Sequence, residues 1–201
     1  MSDQKLTNLL NKKNCFVFDL DNTLINLNAD WKRIKQNLAI FQKRYFNQII
    51  EKDLFMTNQD LLEKTYGVES VKKILNYLEK EENFAASNLS EINQNGIKIL
   101  NLIKNDIIKP NQNKKWIYIL SNNFKSTIEI ALKKFNLIKS FDGYIGRDSG
   151  FKMKPSPQGL NYIFNNIGLD NKKNLIFFGD SLIDQKTAKL FGCDYLYIQK
   201  L

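Results

Sequence analysis

The chain has 201 residues, 43% of them hydrophobic, which is enough for one domain with a substantial core or one domain that carries a smaller insertion. It carries 30 Lys and Arg residues against 21 Asp and Glu, a formal net charge of +9, and it contains no histidine. This composition excludes Ser-His-Asp and Cys-His hydrolases, zinc sites with a histidine ligand and histidine phosphorelays, and it leaves acid–base chemistry to carboxylates, Lys, Tyr or Cys.

The first predicted element is the apolar run Cys15–Phe18, which ends at Asp19 and has the character of a buried parallel strand. The residues before it, Met1–Asn14, are polar and charged and do not resemble a signal peptide. Apolar runs elsewhere in the chain are also far shorter than the ~20 residues needed to cross a bilayer. Cys15 and Cys193 lie far apart without CxxC spacing, so we predict no disulfide framework. We therefore expect a soluble cytoplasmic protein.

A helical insertion is predicted after this first strand. The stretch Leu27–Ala86 contains no convincing strand, and its apolar residues recur three or four positions apart over Trp31–Ile49, which predicts one face of a long helix. The pattern repeats over Val68–Leu78, after Gly67. We interpret the polar stretch Asn83–Gly96 as the segment that closes the insertion.

Strands and helices alternate in the rest of the chain. Two apolar runs, Trp116–Leu120 and Leu175–Phe178, predict buried strands, and weaker strands are predicted at Tyr144–Ile145 and Tyr195–Ile198. Helical periodicity marks four segments, which are Ile97–Ile107, Ile128–Phe135, Leu160–Ile167 and Leu182–Phe191. The connection Asn105–Lys115 is longer and more polar than is typical. The alternation predicts an α/β fold, a Rossmann-like parallel sheet with helices on both faces.

The basic charge raises the question of a nucleic-acid partner. Of the 30 basic residues 27 are lysines, which are scattered singly and in pairs rather than in a run of five. Composition explains this pattern better than a dedicated polyanion site does, so we expect neither a nucleic-acid nor a membrane partner.

Polar residues follow the predicted strands, and ligands bind at the carboxyl ends of the strands in an open parallel sheet. Asp19 and Asp21 lie at positions i and i+2, so in extended backbone both side chains project to the same side. A polar turn explains such a pair equally well when it is taken alone. An EF-hand loop is excluded, because Leu24 occupies the sixth position, where the sharp turn needs glycine.

Two further segments carry groups that suit an anion. Ser121 and Asn122 follow the second strong strand, where a hydroxyl and free backbone N–H groups could hold phosphate oxygens, although such a sequence is also typical of a helix N-cap. Lys154 stands beside Pro155, just before a helix that starts near Gln158, and could act as a positioned charge. The alternative is that Lys154 is an ordinary surface lysine, because the chain has 27 lysines.

The third strong strand is followed by Asp180 and Asp184. These carboxylates share a face if a helix begins at this point, and they suit a hard cation such as Mg²⁺, which prefers oxygen ligands. Acidic residues at a helix N-terminus are also common without a metal. The string Gly179–Leu182 spells the signature of GDSL esterases, but those enzymes require a histidine, which this chain lacks.

Together these motifs resemble the haloacid dehalogenase (HAD) superfamily of phosphotransferases and phosphatases, from Phe16 to about Ile198. The four matching motifs are FDLDNTL (Phe18–Leu24), ILSNN (Ile119–Asn123), the lysine of KMKPSP (Lys152–Pro157) and FGDSLID (Phe178–Asp184). The helical insertion occupies the place of the family's C1 cap, as in proteins that look like phosphoglycolate phosphatase. The resemblance implies a Rossmann-like core of residues 1–24 and 94–201 and a cap of residues 25–93.

The resemblance also implies a role for each motif residue. Asp19 would be the nucleophile that forms an aspartyl-phosphate, and Asp21 would protonate the leaving oxygen and then deprotonate the attacking water. The implied Mg²⁺ site consists of Asp19, Asp21 through its backbone carbonyl, Asp180 and Asp184. The implied phosphate cradle consists of Ser121, the Asn122 amide and Lys154. Phosphoryl transfer depends mainly on positioning and charge neutralisation, so this set needs no histidine.

We therefore predict a Mg²⁺-dependent phosphatase, monomeric or homodimeric, for a small phosphomonoester such as phosphoglycolate, a sugar phosphate or a nucleoside monophosphate. Asp21 favours phosphoester chemistry, because the true dehalogenases resemble this motif but lack the second aspartate. A phosphomutase that uses the same aspartates, or a non-catalytic HAD-fold protein that binds polyanions, stays open. Any of the three arginines that faces the cleft, Arg33, Arg44 or Arg147, could bind a second anionic group of the substrate, although helix solvation explains Arg33 and Arg44 equally well.

Overall fold

The computed structural model describes residues 3–50, 59–108 and 114–199. Within these ranges the strands are β1 (Cys15–Phe18), β2 (Ile25–Asn26), β3 (Glu91–Ile92), β4 (Trp116–Leu120), β5 (Gly143–Ile145), β6 (Leu175–Gly179) and β7 (Asp194–Tyr197). The helices are α1 (Asp3–Asn11), α2 (Trp31–Phe46), α3 (Gln59–Tyr66), α4 (Val68–Asn88), α5 (Gln94–Leu102), α6 (Lys125–Lys134), α7 (Gln158–Asn166) and α8 (Leu182–Phe191).

The main sheet is parallel, with the strand order β5-β4-β1-β6-β7. β1 is central, and its last residue, Phe18, lies beside Ile119 of β4 and Phe178 of β6. This arrangement confirms the predicted α/β fold. Two strong strands have the predicted bounds, β6 and β5 each gain one residue, and β7 both begins and ends one residue earlier than predicted.

The two faces of the sheet carry separate hydrophobic clusters, as the alternation of side chains along a strand requires. Phe16 and Phe18 point into a cluster that includes α5 and α6, and the Phe18 ring stacks on Phe178 with a centroid distance of 4.4 Å. Cys15 and Val17 belong to the cluster on the other face, with α7 and α8. All residues of β1 are fully buried, which explains why this strand has no polar face.

Two helix predictions in the insertion need correction. The first helix does not reach Ile49 but ends at Phe46, because Asn47 adopts a left-handed conformation with φ of 58° and its N–H caps the carbonyl of Lys43. The polar stretch predicted to close the insertion is helical up to Asn88, as the end of α4. Polar residues are tolerated in this helix because Asn83 hydrogen-bonds to the side chains of α6.

Four smaller features were missed or shifted. The N-terminal segment forms α1, whose Leu10 is fully buried, and α3 lies between the two predicted helices of the insertion. β2 and β3 form a two-residue antiparallel ribbon at the ends of the insertion, too short to give a periodic signal. The helix predicted over Ile97–Ile107 ends at Leu102 and continues as a π-helical turn. Of the polar connection Asn105–Lys115, residues 109–113 lie outside the described residues.

In the described part of the chain, no helix combines the length and the apolar character needed to cross a membrane. Cys15 and Cys193 are free thiols, and both are buried. Burial raises the pKa of both thiols, that of Cys193 to about 12, so neither carries the thiolate that a reactive cysteine needs.

Candidate active site

The carboxyl ends of three neighbouring strands bring the predicted site residues together. Asp19 follows β1, and its N–H donates to the carbonyl of Phe178 at 2.8 Å. Ser121 follows β4, and Asp180 follows β6. A cavity of about 700 Å³ opens above this edge, and six of the predicted site residues line it, which are Asp19, Asp21, Ser121, Asn122, Lys154 and Asp180. The seventh, Asp184, does not line the cavity but is fully buried in contact with Lys154.

A buried lysine stands at the centre of this site. The Lys154 Nζ atom lies 2.8 Å from Asp19 Oδ1 and 2.6 Å from Asp184 Oδ1. All three residues are at least nine-tenths buried, so these charges are largely removed from water. The lysine is therefore no ordinary surface residue, because its ammonium group balances two carboxylates in a region of low dielectric.

The site holds more negative than positive charge at its centre. Oxygens of Asp19, Asp180 and Asp184 lie within 4.8 Å of one another. Burial raises the pKa of Asp19 to about 7, with Lys154 opposing and Asp184 adding to the shift. Burial and Asp184 raise the pKa of Asp180 to about 6. Burial acts to lower the pKa of Lys154, but Asp19 and Asp184 outweigh it and the net shift is upward.

This cluster fits a hard divalent cation. Its donors are carboxylate oxygens, which Mg²⁺ prefers, and its three carboxylates outnumber the one ammonium group that contacts them. The contact of Asp19 Oδ1 with Lys154 is an ion pair rather than a well-aligned hydrogen bond, which leaves this buried oxygen available to a cation. Asp19, Asp180 and Asp184 are the side chains that could hold the ion.

Asp184 reaches the site through a close helix–strand contact. The helix begins at Leu182 rather than at Asp180, so the condition under which the two aspartates would share a helix face is not met. Ser181 is the N-cap, and Asp184 completes a capping box with it while its other oxygen contacts Lys154. A β-carbon at Gly179 would stand 2.5 Å from the Asp184 Cβ, so glycine is required for this approach.

Asp21 occupies the position that the i, i+2 spacing predicts. Asp19 and Asp21 face the same cavity, whereas Leu20 between them is fully buried. The Asp21 Oδ1 atom accepts the N–H of Leu27 at 2.9 Å, which holds the carboxylate at the cavity wall. The Asp21 carboxylate differs from that of Asp19 in that it does not belong to the cluster of three carboxylates.

The Ser121–Phe124 turn connects β4 to α6 and is tied to the lysine segment. The Asn122 side chain accepts the backbone N–H of Lys154 at 2.9 Å and donates to the Lys154 carbonyl at 3.1 Å. The Ser121 hydroxyl donates to Asn123 Oδ1 at 2.9 Å. Ser121 is not a helix N-cap, because α6 begins at Lys125 with Phe124 as its N-cap.

The insertion supplies one wall of the cavity, and sequence reasoning missed the residues involved. Trp31, Lys35 and Glu82 line it from the helices α2 and α4. Glu82 could have been found, because it follows Val71, Ile74 and Leu78 on the apolar face of α4, where a charged residue is out of place. Lys35 gives no such signal, since exposed lysines are common in this chain.

The three arginines have different surroundings. Arg33 pairs with Glu81 and Arg44 lies over the ring of Tyr45, and neither lines the cavity. Arg147 does line it, but its guanidinium is buried, with Nη2 3.6 Å from Glu82 Oε1. An anionic substrate group at Arg147 would therefore also meet a carboxylate.

The fold and this edge of the sheet define a class of α/β enzyme with a carboxylate-rich site at the strand ends. The chain belongs to the haloacid dehalogenase-like hydrolases, whose family model matches residues 16–198, and it is therefore a hydrolase. A comparison with curated proteins returns no significant match.

Solved structures share the fold at low sequence identity. A protein described as a haloacid dehalogenase-like hydrolase from Bacteroides fragilis is 19% identical, with a TM-score of 0.64 over 91% of this chain and 86% of that one. A predicted phosphoglycolate phosphatase from Haemophilus somnus is 20% identical, with a TM-score of 0.63 over 92% and 85%. The HAD hydrolase YfnB from Bacillus subtilis, solved with bound magnesium, is 16% identical, with a TM-score of 0.54 over 92% and 88%.

Proposed function

We propose that this hydrolase is a Mg²⁺-dependent phosphatase that cleaves a small phosphomonoester through an aspartyl-phosphate on Asp19. The observation that carries the proposal is the buried lysine between two carboxylates, with a third carboxylate beside them, at the cavity floor. With these roles, a nucleophile, a fixed positive charge and a set of oxygen ligands would lie within a few ångströms of one another. Phosphoryl transfer requires these elements and little else.

The chain's own residues account for both halves of the reaction. An Asp19 carboxylate oxygen attacks phosphorus, the bond from phosphorus to the ester oxygen breaks, and Asp21 gives its proton to that leaving oxygen. Water then attacks the phosphorus of the aspartyl-phosphate, Asp21 takes the proton from this water, and the bond to Asp19 breaks to release inorganic phosphate. Lys154 and Ser121 hold the phosphoryl oxygens, together with the backbone N–H of Asn122.

Asp19, Asp180 and Asp184 would hold the Mg²⁺, together with the backbone carbonyl of Asp21. When bound, the ion neutralises charge on the phosphoryl group and on the carboxylates that face it. The magnesium in the structure of YfnB, which has the same fold, supports this choice of metal. Asp184 is also fixed by its capping box, so its contacts with Lys154 and the ion would be held in place before the substrate binds.

The helical insertion would act as a C1 cap, with residues 25–93 as the cap and residues 1–24 and 94–201 as the core. Its residues Trp31 and Lys35 line the cavity that holds Asp19, so the leaving group of the substrate would contact them. The candidates stay phosphoglycolate, a sugar phosphate and a nucleoside monophosphate, and the predicted phosphoglycolate phosphatase among the similar structures supports the first. The buried free thiols support a reducing compartment such as the cytoplasm.

The test is phosphate release from a panel of these phosphomonoesters, with Mg²⁺ and with EDTA, by the intact protein and by Asp19→Asn. We expect release that needs Mg²⁺ and is lost in Asp19→Asn. Asp170→Asn, at an exposed aspartate outside the cavity, is the control and should keep full activity. Unchanged hydrolysis in Asp19→Asn would overturn the proposal. Transfer of the phosphate to a second hydroxyl without release would identify a phosphomutase instead.

A further inference from the structure

Glu82 is a buried acidic residue in the insertion for which the proposed catalytic steps have no use. It lies on α4, on the helix face that buries Val71, Ile74 and Leu78, and its own exposure is zero. A charged side chain in such a place is costly unless other groups compensate it. Its neighbours therefore indicate why a carboxylate stands there.

Donor groups from two different segments converge on this carboxylate. Oε2 accepts the backbone N–H of Phe124 at 3.2 Å and the hydroxyl of Thr127 at 3.4 Å. Oε1 lies 3.6 Å from Nη2 of Arg147. Phe124 is the N-cap of α6 and its own side chain makes no cap hydrogen bond, so Glu82 supplies a cap from another helix and places a negative charge at the α6 N-terminus.

The same turn is also held by the loop after β5. The backbone N–H of Arg147 donates to the Asn123 carbonyl at 2.8 Å, and the N–H of Lys125 donates to Asp148 Oδ1 at 2.8 Å. A β-carbon at Gly146 would stand 2.7 Å from the Lys125 nitrogen, so the two segments are in close contact. Glu82 and the β5 loop therefore both hold the Ser121–Phe124 turn and the start of α6.

A short series of contacts connects Glu82 to the cavity floor. Glu82 Oε2 accepts the backbone N–H of Phe124, the residue that follows Asn123 in the turn. Asn123 Oδ1 in turn accepts the Ser121 hydroxyl at 2.9 Å. Asn123 and Ser121 are both buried, and the backbone N–H of Asn123 also donates to Ser121 Oγ at 3.3 Å, so these contacts hold Ser121 Oγ in place. The single hydroxyl proton would turn from Asn123 Oδ1 to a phosphoryl oxygen when the substrate binds.

We propose that Glu82 is a positioning residue through which the helical insertion orients Ser121 for binding the phosphoryl group. The inference rests on the proposed function, because it assigns a partner to one of its phosphate-binding groups. The insertion then contributes to the phosphoryl site itself as well as to the cavity wall that faces the leaving group.

The experiment is a double-mutant cycle on phosphate release with Glu82→Gln and Ser121→Ala in the intact chain. Glu82→Gln keeps the shape but loses the charge, and we expect kcat to fall about 100-fold, the effect of a small displacement of a reacting group. In the Ser121→Ala background the same change should cost less than about threefold, because the group that it positions is gone. Equal losses in both backgrounds would overturn the inference.

Glu81→Gln is the matched control, since Glu81 is adjacent in sequence but pairs with Arg33 outside the cavity, and its kcat should stay unchanged. If Glu82→Gln lowers the folded fraction measured by circular dichroism, Asn123→Ala, which leaves the Glu82–Arg147 pair in place, replaces it in the cycle with the same expectation. Activity that Asp19→Asn does not reduce would reject the proposed function. Asp19-dependent activity with additive Glu82 and Ser121 effects would reject only this inference.

Discussion

Charged residues are treated in opposite ways at the carboxyl edge of the sheet and in the helical insertion. At the sheet edge, Asp19, Lys154 and Asp184 are at most 7% exposed, and Lys154 contacts both aspartates within 2.8 Å. In the insertion the charge pairs lie at the surface, as with Arg33 and Glu81 or the pair Lys73 and Glu69, whose side chains are 50% and 74% exposed. Burying the charges of the sheet edge costs folding free energy, whereas the surface pairs of the insertion change the stability little.

The difference indicates what each region contributes. The insertion is stabilised by an apolar cluster that includes Phe46, Leu62 and Ile74. Its surface charge pairs contribute little to this stability. The sheet edge keeps buried charges where a purely structural core would have apolar residues, which is consistent with the catalytic role proposed for them. Glu82 is the exception in the insertion, and it is also the residue of α4 whose carboxylate contacts the turn at the cavity floor.

The largest expected effect comes from removing the charge at the centre of the sheet edge. Lys154→Ala takes away the only ammonium in contact with Asp19 and Asp184 among the described residues, so the phosphoryl group loses a fixed charge and two buried carboxylates lose their partner. We expect kcat to fall by about 10³-fold or more, and the free energy of unfolding to fall by about 3–5 kcal/mol. Steady-state phosphate release and urea unfolding measure the two quantities.

Lys139→Ala is the control for this prediction, because Lys139 is exposed and lies outside the cavity. It should leave both kcat and stability close to those of the unmodified protein. If Lys154→Ala had the same kcat and the same stability as Lys139→Ala, the buried charges at the sheet edge would matter no more than the exposed ones.

The same comparison explains which parts of the molecule could be predicted from the sequence. The bounds of the central strands were predicted to within one residue. A run such as Cys15–Phe18 is buried on both faces and contains no polar residue, so the first polar residue after it marks its end. The site residues followed, because the strand ends determine where Asp19 and Ser121 lie. The ends of α2 and α4 were misplaced, since a left-handed Asn47 and the tertiary partners of Asn83 decide them.

The residues that approach the site from the insertion could not be predicted for a related reason. Which helix face covers the cavity depends on how α4 packs on α6, and that contact joins residues more than forty positions apart, such as Glu82 and Phe124. Helical periodicity identifies the buried face of each helix but not its partner. Only the misplaced charge of Glu82 carried a signal.

The second prediction concerns stability without metal and its dependence on pH. The pKa of Asp19 is raised to about 7 in the folded protein, above its ordinary value of 3.8, so the folded state holds a proton that the unfolded state releases. The stability from this group is present at low pH and is lost as the pH rises from about 4 through 7. Asp180, with its pKa raised to about 6, acts in the same direction.

Thermal unfolding in EDTA from pH 4.5 to 8 tests this prediction. The Tm of Asp19→Asn should exceed that of the unmodified protein by several degrees at pH 8, and the two should converge at pH 4.5. Addition of Mg²⁺ at pH 8 should raise the Tm of the unmodified protein more than that of Asp19→Asn, because the ion binds the ionised carboxylates. A difference that does not change with pH would contradict the raised pKa.

A smaller effect is expected where the insertion meets the substrate. Lys35 is exposed at the cavity wall and would add a screened attraction to an anionic substrate in the ground state and in the transition state alike. Lys35→Ala should therefore raise KM about two- to fivefold and leave kcat unchanged. Lys32→Ala, on the same helix but outside the cavity, should change neither value. A fall in kcat without a change in KM would show that Lys35 acts on the chemical step.

The smallest effect should come from the surface ion pair of the insertion. Arg33 donates to Glu81 through both terminal nitrogens, with a 3.1 Å contact from Nη1, but its side chain is half exposed, so water competes with the pair. Arg33→Ala should lower the free energy of unfolding by less than about 1 kcal/mol and leave kcat and KM unchanged. The matched change in the insertion's apolar cluster, Ile74→Ala, should cost about 2–5 kcal/mol because Ile74 is fully buried. If Arg33→Ala proved the more damaging of the two in urea unfolding, surface charge rather than apolar packing would hold the insertion together.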